Sequence, residues 1–300
     1  MNVGGHRFAN LFQTLMLIGA MTVLFFVAGY LIGGRTGLLV ALVASVVSNL
    51  MAWYSSGTMA IRATQAQPVS RDQAPELHAI VDDLAQRADL PKPEVFIIPS
   101  EVPNAFATGR NPSDGKVAVT EGIMRLLNRD ELAGVLAHEL AHVKYYDILT
   151  SSIAGALAGA VTYLANMARF SMYTSRYSSA RRSQGMNIGA LFAIFLAPVA
   201  AMIIRFAVSR SREFGADEGG AMLLGDPVPL ANALQKLESM AQQQADPLLS
   251  NPSISHLFIV TPALGSLSNL FRTHPSTEER VARLMQMARE MNSPSAAVRS

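Results

Sequence analysis

Apolar positions along this chain fall into two kinds of pattern, unbroken runs and periodic ones. The runs come first: 27 consecutive uncharged residues lie between Arg7 and Arg35, built around LFQTLMLIGAMTVLFFVAGYLIGG, and another 26 between Arg35 and Arg62, built around GLLVALVASVVSNLMAWY. Each is long enough to cross a hydrocarbon layer as a helix, which takes about 20 residues. The first run far exceeds the roughly 7 to 15 apolar residues of a cleaved signal, and the second follows at once. The pattern therefore predicts an uncleaved transmembrane hairpin over 1–61, turning at Gly33, Gly34 and Arg35. Two further apolar stretches, Ile148 to Ala168 and about 187–204, are rich in Ala and Gly rather than Leu. Small residues let helices approach closely, and Gly155 and Gly159 form a GxxxG pair. Pro198 would kink the last stretch unless neighbours satisfy the carbonyl it frees.

Periodic patterns occupy the rest. PELHAIVDDLAQRA reads as an amphipathic helix opening at Pro75, and EVFIIP, NAFATG and KVAVT as short strands separated by turn residues. A helix is predicted from Arg129, where Asn128 and Glu131 stand at capping-box spacing. Pro229 to Gln243 and Ser276 to Met291 read as helices too, the latter opened by Ser276 and Glu279. The expected organisation is an N-terminal hairpin at 1–61, a first part of a polar domain at 62–147, the third and fourth apolar segments with a basic connector at 148–208, and a second part of the domain at 209–300.

Composition narrows the function classes. Half of the residues are hydrophobic and 15% are charged, against roughly 25% charged in an ordinary soluble domain. With 24 Lys plus Arg against 22 Asp plus Glu, the net charge is +2, too balanced for a nucleic-acid binder. Cysteine is absent, which removes thiol nucleophiles and thiolate metal sites and leaves any metal to His, Asp or Glu.

That choice of ligands meets a motif in the helix after Arg129, His138-Glu139-Leu140-Ala141-His142. Four-residue spacing puts both imidazoles on one helix face, where they can chelate one metal ion, while Glu139 reaches a water beside that ion as general base. Two histidines need a third protein ligand if one position is to stay open. The best candidate is Glu213, with Asp217 one turn on to accept a hydrogen bond from the non-ligating nitrogen of a histidine. By sequence, Glu218, Glu238, His256 and His274 compete for the third place.

These residues, taken in order with the apolar spans, NAFATG, HELAH, SREFGAD and THPSTEER, cover nearly the whole chain. The set resembles the membrane-bound zinc metallopeptidases of the HtpX type, heat-shock proteases to which the CAAX prenyl proteases are distantly related. The resemblance implies an α+β protein: a multi-pass α-helical membrane protein with a mostly helical gluzincin-like domain carrying a small β-sheet. It implies one Zn2+ per chain on His138, His142 and Glu213, with Glu139 as base and Asp217 behind the ligands. It also implies an exposed edge strand at Asn104, Ala105, Phe106 and Ala107 to which an extended substrate adds. His274 would donate to the developing oxyanion, and Arg280 would hold the local loop.

Since His142 and Glu213 must meet at one ion, the stretch between them crosses the membrane an even number of times. The amino end, the catalytic domain and the carboxyl end then share a compartment. Arg62, Arg71, Arg205, Arg210 and Arg212 near the membrane ends point to the cytoplasm. Arg169, Arg176, Arg181 and Arg182 in the connector pull the same way, which leaves open that the third and fourth segments cap the protease rather than cross. The expected partners are protein substrates, membrane proteins among them, and the lipid bilayer, with no nucleic acid. The resemblance implies a bacterial inner-membrane enzyme for quality control of misfolded membrane proteins. A processing peptidase of the prenyl-protease kind and a silent scaffold with a structural metal are the alternatives.

Overall fold

The computed structural model describes residues 3–154, 210–241 and 275–293. Helix α1 (Val3–Ala63) carries the two N-terminal apolar runs. A straight helix would set Thr22 and Asn49 about 40 Å apart at 1.5 Å per residue, yet Asn49 Nδ2 donates to Thr22 Oγ1 at 3.3 Å. The helical backbone is thus two arms lying side by side. Gly34, with φ +56°, supplies a left-handed position at the bend, which glycine tolerates because it lacks a Cβ. Among the described residues, Gly34–Ser55 is long and apolar enough to cross a membrane, and Phe8–Val23 is a shorter apolar stretch. Large apolar side chains face outward along both arms, including Phe8, Phe12, Leu15, Leu39, Val43 and Leu50.

The sheet joins β1 (Gln67–Pro68), β2 (Glu94–Ile98), β3 (Ala105–Thr108) and β4 (Lys116–Thr120) in the order β1-β2-β4-β3. β2 and β4 are parallel, and the two outer pairings are antiparallel. Alternating side chains divide between two faces. On one, Phe96, Ile98, Phe106 and Ala118 meet Ala60 and Ile61 at the end of the second arm. On the other, Val95, Ala105, Ala107, Val117 and Val119 join the main core with α2 (Pro75–Ala88) and α4 (Arg129–Lys144). The sheet therefore anchors the end of the second arm to the rest of the molecule.

α4 is the central helix. The reciprocal cap forms, with Glu131 N donating to Asn128 Oδ1 at 2.9 Å and Asn128 N to Glu131 Oε2 at 3.0 Å, so two otherwise orphaned amides are satisfied. Leu132, Val135, Leu136, Leu140 and Val143 lie in the core. α5 (Arg210–Leu224) and α6 (Val228–Ala241) pack on α4, and α7 (Thr277–Met291) packs on both of these. A Cβ on Gly220 of α5 would come within 2.7 Å of His138 N and 2.8 Å of His138 Cα. Only glycine lets α5 come so close to the metal-motif helix.

The periodic segments form the elements their patterns predict, with ends shifted by one or two residues. At α7, Glu279 N donates to Ser276 Oγ at 3.2 Å. The periodicity did not foresee β1 or the short α3 (Glu121–Leu126), which Thr120 caps by accepting from Ile123 N at 3.1 Å. Both are too short to carry a period. Residues 147–154 at the start of the third apolar segment are helical, and the rest of that segment and all of the fourth lie outside the described residues.

Candidate active site

His138 and His142 leave α4 on one face with their rings edge to face, and their Nε2 atoms stand 3.2 Å apart. Across from them, Glu213 in the first turn of α5 places Oε2 at 3.8 Å from His138 Nε2 and Oε1 at 3.7 Å from His142 Nε2. One donor atom from each of the three residues lies within 4.8 Å of the others. A tetrahedral ion with bonds near 2.1 Å holds its ligand atoms about 3.4 Å apart, so the donor set fits a small divalent ion. Among the described residues this is the one His/Asp/Glu group drawn together in that way. Of the competing third ligands, Glu218 and Glu238 are not part of it, and His256 and His274 lie outside the described residues, as does any oxyanion role for His274.

Behind His138, Asp217 Oδ1 accepts from Nδ1 at 2.9 Å. A carboxylate can only accept, so Nδ1 carries the proton and Nε2 turns its lone pair toward Glu213 and His142. Asp217 is gripped in turn by Arg280 of α7, whose Nε donates to Oδ2 at 2.8 Å and Nη2 to Oδ1 at 2.6 Å. Arg280 is 1% exposed. Its fork closes on Asp217, Nη1 lies 3.8 Å from Glu213 Oε2, and the segment before 275 that it was expected to hold lies outside the described residues. Burial alone would raise the Asp217 carboxyl, but the Arg280 charge and hydrogen bonds outweigh it and hold Asp217 at about 2. Burial also works against the Arg280 charge, and Asp217 overcomes it and keeps the guanidinium protonated.

Behind His142 stands a residue that the spacing argument passed over. Asp147 follows the end of α4 and accepts from His142 Nδ1 through Oδ2 at 2.9 Å. Burial would lower His142, but the Asp147 hydrogen bond and the Glu213 carboxylate push it up to about 9 in the metal-free chain. The signal available was a carboxylate five residues beyond the second histidine, just past the helix end.

Glu139 leaves α4 beside the two histidines and reaches the sheet. Its Oε2 accepts from Ala107 N at 2.8 Å, and burial raises its carboxyl above the usual range against the pull of both histidines. β3 is indeed a terminal strand of the sheet. Its expected exposure is corrected, because Asn104, Ala105, Phe106 and Ala107 are all buried, Ala107 being the least so at 7%. α4 lies across one face and the second arm of α1 meets the other, and Thr108 Oγ1 is bonded to Ser152 Oγ at 2.9 Å. Arg212, read above as a membrane-flanking cation, is also buried.

Comparison with known proteins agrees with this geometry. The model of Peptidase family M48 matches residues 71–288. A Protease HtpX homolog of Persephonella marina is 47% identical over 94% of this chain and 98% of its own. Homologs under the same name are 49% identical in Salinibacter ruber, over 93% of this chain and 98% of theirs, and 47% identical in Pyrococcus abyssi, over 93% and 96%. Among solved structures, Ste24p of S. mikatae shares the fold with a TM-score of 0.52 at 21% identity, covering 93% of this chain and 66% of that one. With the metal-binding triad and its neighbouring carboxylate in place, the chain belongs to Peptidase family M48 and is a metalloprotease.

Proposed function

We propose that the chain is a membrane-embedded zinc endopeptidase that cuts membrane proteins from the cytoplasmic side. The observation that carries the chemistry is the meeting of His138, His142 and Glu213 with Glu139 on the same helix. Neutral nitrogen and carboxylate donors with no thiolate suit zinc, which when bound would polarise the scissile carbonyl and make water more acidic. Glu139 would then take the proton of the attacking water and return it to the leaving amine. Burial favours this shuttle by raising the Glu139 carboxyl, and the Ala107 amide aims it. Asp217 and Asp147 keep both imidazoles in the ligating tautomer.

An extended substrate would add along β3. Thr120 N donates to Asn104 O at 2.9 Å, so alternation turns the main-chain groups of Ala105 and Ala107 to the free edge, where the Ala107 N–H is taken by Glu139 and the Ala105 groups and the Ala107 carbonyl would receive substrate. The hairpin of α1, apolar on its outer surface, would cross the bilayer as two spans and hold the active site at the cytoplasmic face of a bacterial inner membrane. There it would meet misfolded membrane proteins, which is the basis for proposing a quality-control role.

The test is cleavage of an unstructured protein by the detergent-purified chain, with bound metal quantified before and after chelation. Chelation should abolish cleavage and zinc should restore it. Glu139→Gln should keep zinc and lose activity, and His142→Ala should lose both. Cleavage by zinc-loaded Glu139→Gln at the wild-type rate would overturn the assignment of the base, and a chain that binds no zinc would overturn the site.

A further inference from the structure

His142 owes its position to a turn that its own residues disfavour. α4 ends at Lys144 and the chain reverses through Tyr145 and Tyr146 before turning helical again at 147. Tyr146 sits at φ +65°, the left-handed region in which a Cβ crowds the following carbonyl. That reversal is what swings Asp147 back against His142.

Asn10, on the first arm of α1, clamps both sides of the strained residue. Its Nδ2 donates to Tyr145 O at 3.0 Å and to Asp147 Oδ1 at 2.5 Å. Both partners can only accept, so the amide nitrogen must face them and both of its N–H bonds are used. Asn10 is 3% exposed and Asp147 is 4% exposed, so neither of the Asp147 contacts has water as an easy substitute. One turn along the same arm, Thr14 Oγ1 and Thr150 Oγ1 are bonded at 3.0 Å. That second contact docks the arm without touching Asp147.

We infer that Asn10 is a positioning residue of the metal site, acting on His142 through Asp147, so that the first apolar arm sets how firmly the ion is held. With Asn10 in place, Asp147 has one oxygen fixed by the arm and the other fixed on His142 Nδ1, and the imidazole cannot rotate out of line with His138 and Glu213. Without it, a buried carboxylate oxygen loses its donor, Asp147 turns to find another, and the strained reversal is free to relax. The inference rests on the zinc reading above and adds a part of the chain that contributes no ligand.

The experiment is the rate at which zinc passes from the loaded, detergent-purified full chain to a chromophoric chelator, followed without substrate. Asn10→Ala should release zinc several-fold faster than wild type, up to the about 10- to 100-fold expected for losing Asp147, the direct hydrogen-bond partner of the ligand. Asn10→Asp, which sets a second carboxylate against Asp147, should be at least as fast. Thr14→Val, which loosens the arm but leaves Asp147 held, should release at the wild-type rate. If Asn10→Ala is recovered only unfolded, Asn10→Ser takes its place under the same expectation. Release at the wild-type rate from either folded variant overturns the inference while leaving the zinc site standing, as does equally fast release from Thr14→Val, which would mean that docking alone matters. A wild-type chain that takes up no zinc sinks the metal reading and this inference together.

Discussion

The two histidines of α4 are held from opposite ends of the chain and by different chemistry. His138 is backed by Asp217, and Asp217 by the buried guanidinium of Arg280, an ion pair brought in by α5 and α7. His142 is backed by Asp147, and Asp147 by the neutral amide of Asn10 from the first arm of α1. The consequence is electrostatic. With a cation behind it, Asp217 is held down at about 2 even though burial opposes this. With an amide making the hydrogen bond in that place and the buried Arg212 charge acting on Asp147 without a hydrogen bond, Asp147 accepts from His142, which that bond and the Glu213 carboxylate raise to about 9 against burial. One ligand is thus locked by charge compensation and the other by a geometric clamp, and the two should fail differently.

The sharpest way to break the comparison is Arg280→Ala. It leaves Asp217 and Glu213 as buried carboxylates without their cation, so a loss of about 3–5 kcal/mol is expected on denaturant unfolding. Arg280→Lys should lose less but not recover wild type, because an ammonium cannot close on both oxygens as a fork does. Next comes Gly220→Ala. Its Cβ would press on His138 backbone atoms that cannot rotate away, so α5 must retreat at a cost of about 1–3 kcal/mol. Retreat moves Glu213 from the histidines, so zinc affinity by competition titration should fall as well. Gly19→Ala, where a Cβ meets nothing within 4 Å, should leave zinc affinity unchanged and cost no stability.

The smallest effect is expected at a surface counterpart of the Asp217 pair. Asp114 accepts from Arg110 Nε at 2.8 Å and lies 3.1 Å from Lys116 Nζ. The Arg110 hydrogen bond, aided by Lys116 and opposed by partial burial, lowers its carboxyl to about 2. A depressed carboxylate stabilises the fold above its unfolded value, near 3.9, and that contribution disappears as the pH falls through about 2. Wild type should therefore exceed Asp114→Asn by no more than about 1 kcal/mol near neutrality, with the gap closing between pH 4 and 2 in acid unfolding curves. A gap that persists at pH 2 would show that the carboxylate charge is not its source.

What the sequence determined by itself was local. His138, Glu139 and His142 share a helix because their spacing and the Asn128–Glu131 cap are satisfied within a few residues of chain. Glu213 and Asp217 were legible as a pair for the same reason, and the strands showed their two-residue alternation. Spacing says which residues share a face but not what that face will meet. Only the tertiary structure decided that Arg280 closes on Asp217 across 63 residues, that Asn10 reaches Asp147 across 137, and that β3 is an edge without being exposed. Each of these depends on where a distant segment returns. That return is set by the burial of apolar faces and by glycine contacts such as Gly220 on α4, neither of which has a signature in the spacing of the residues they bring together.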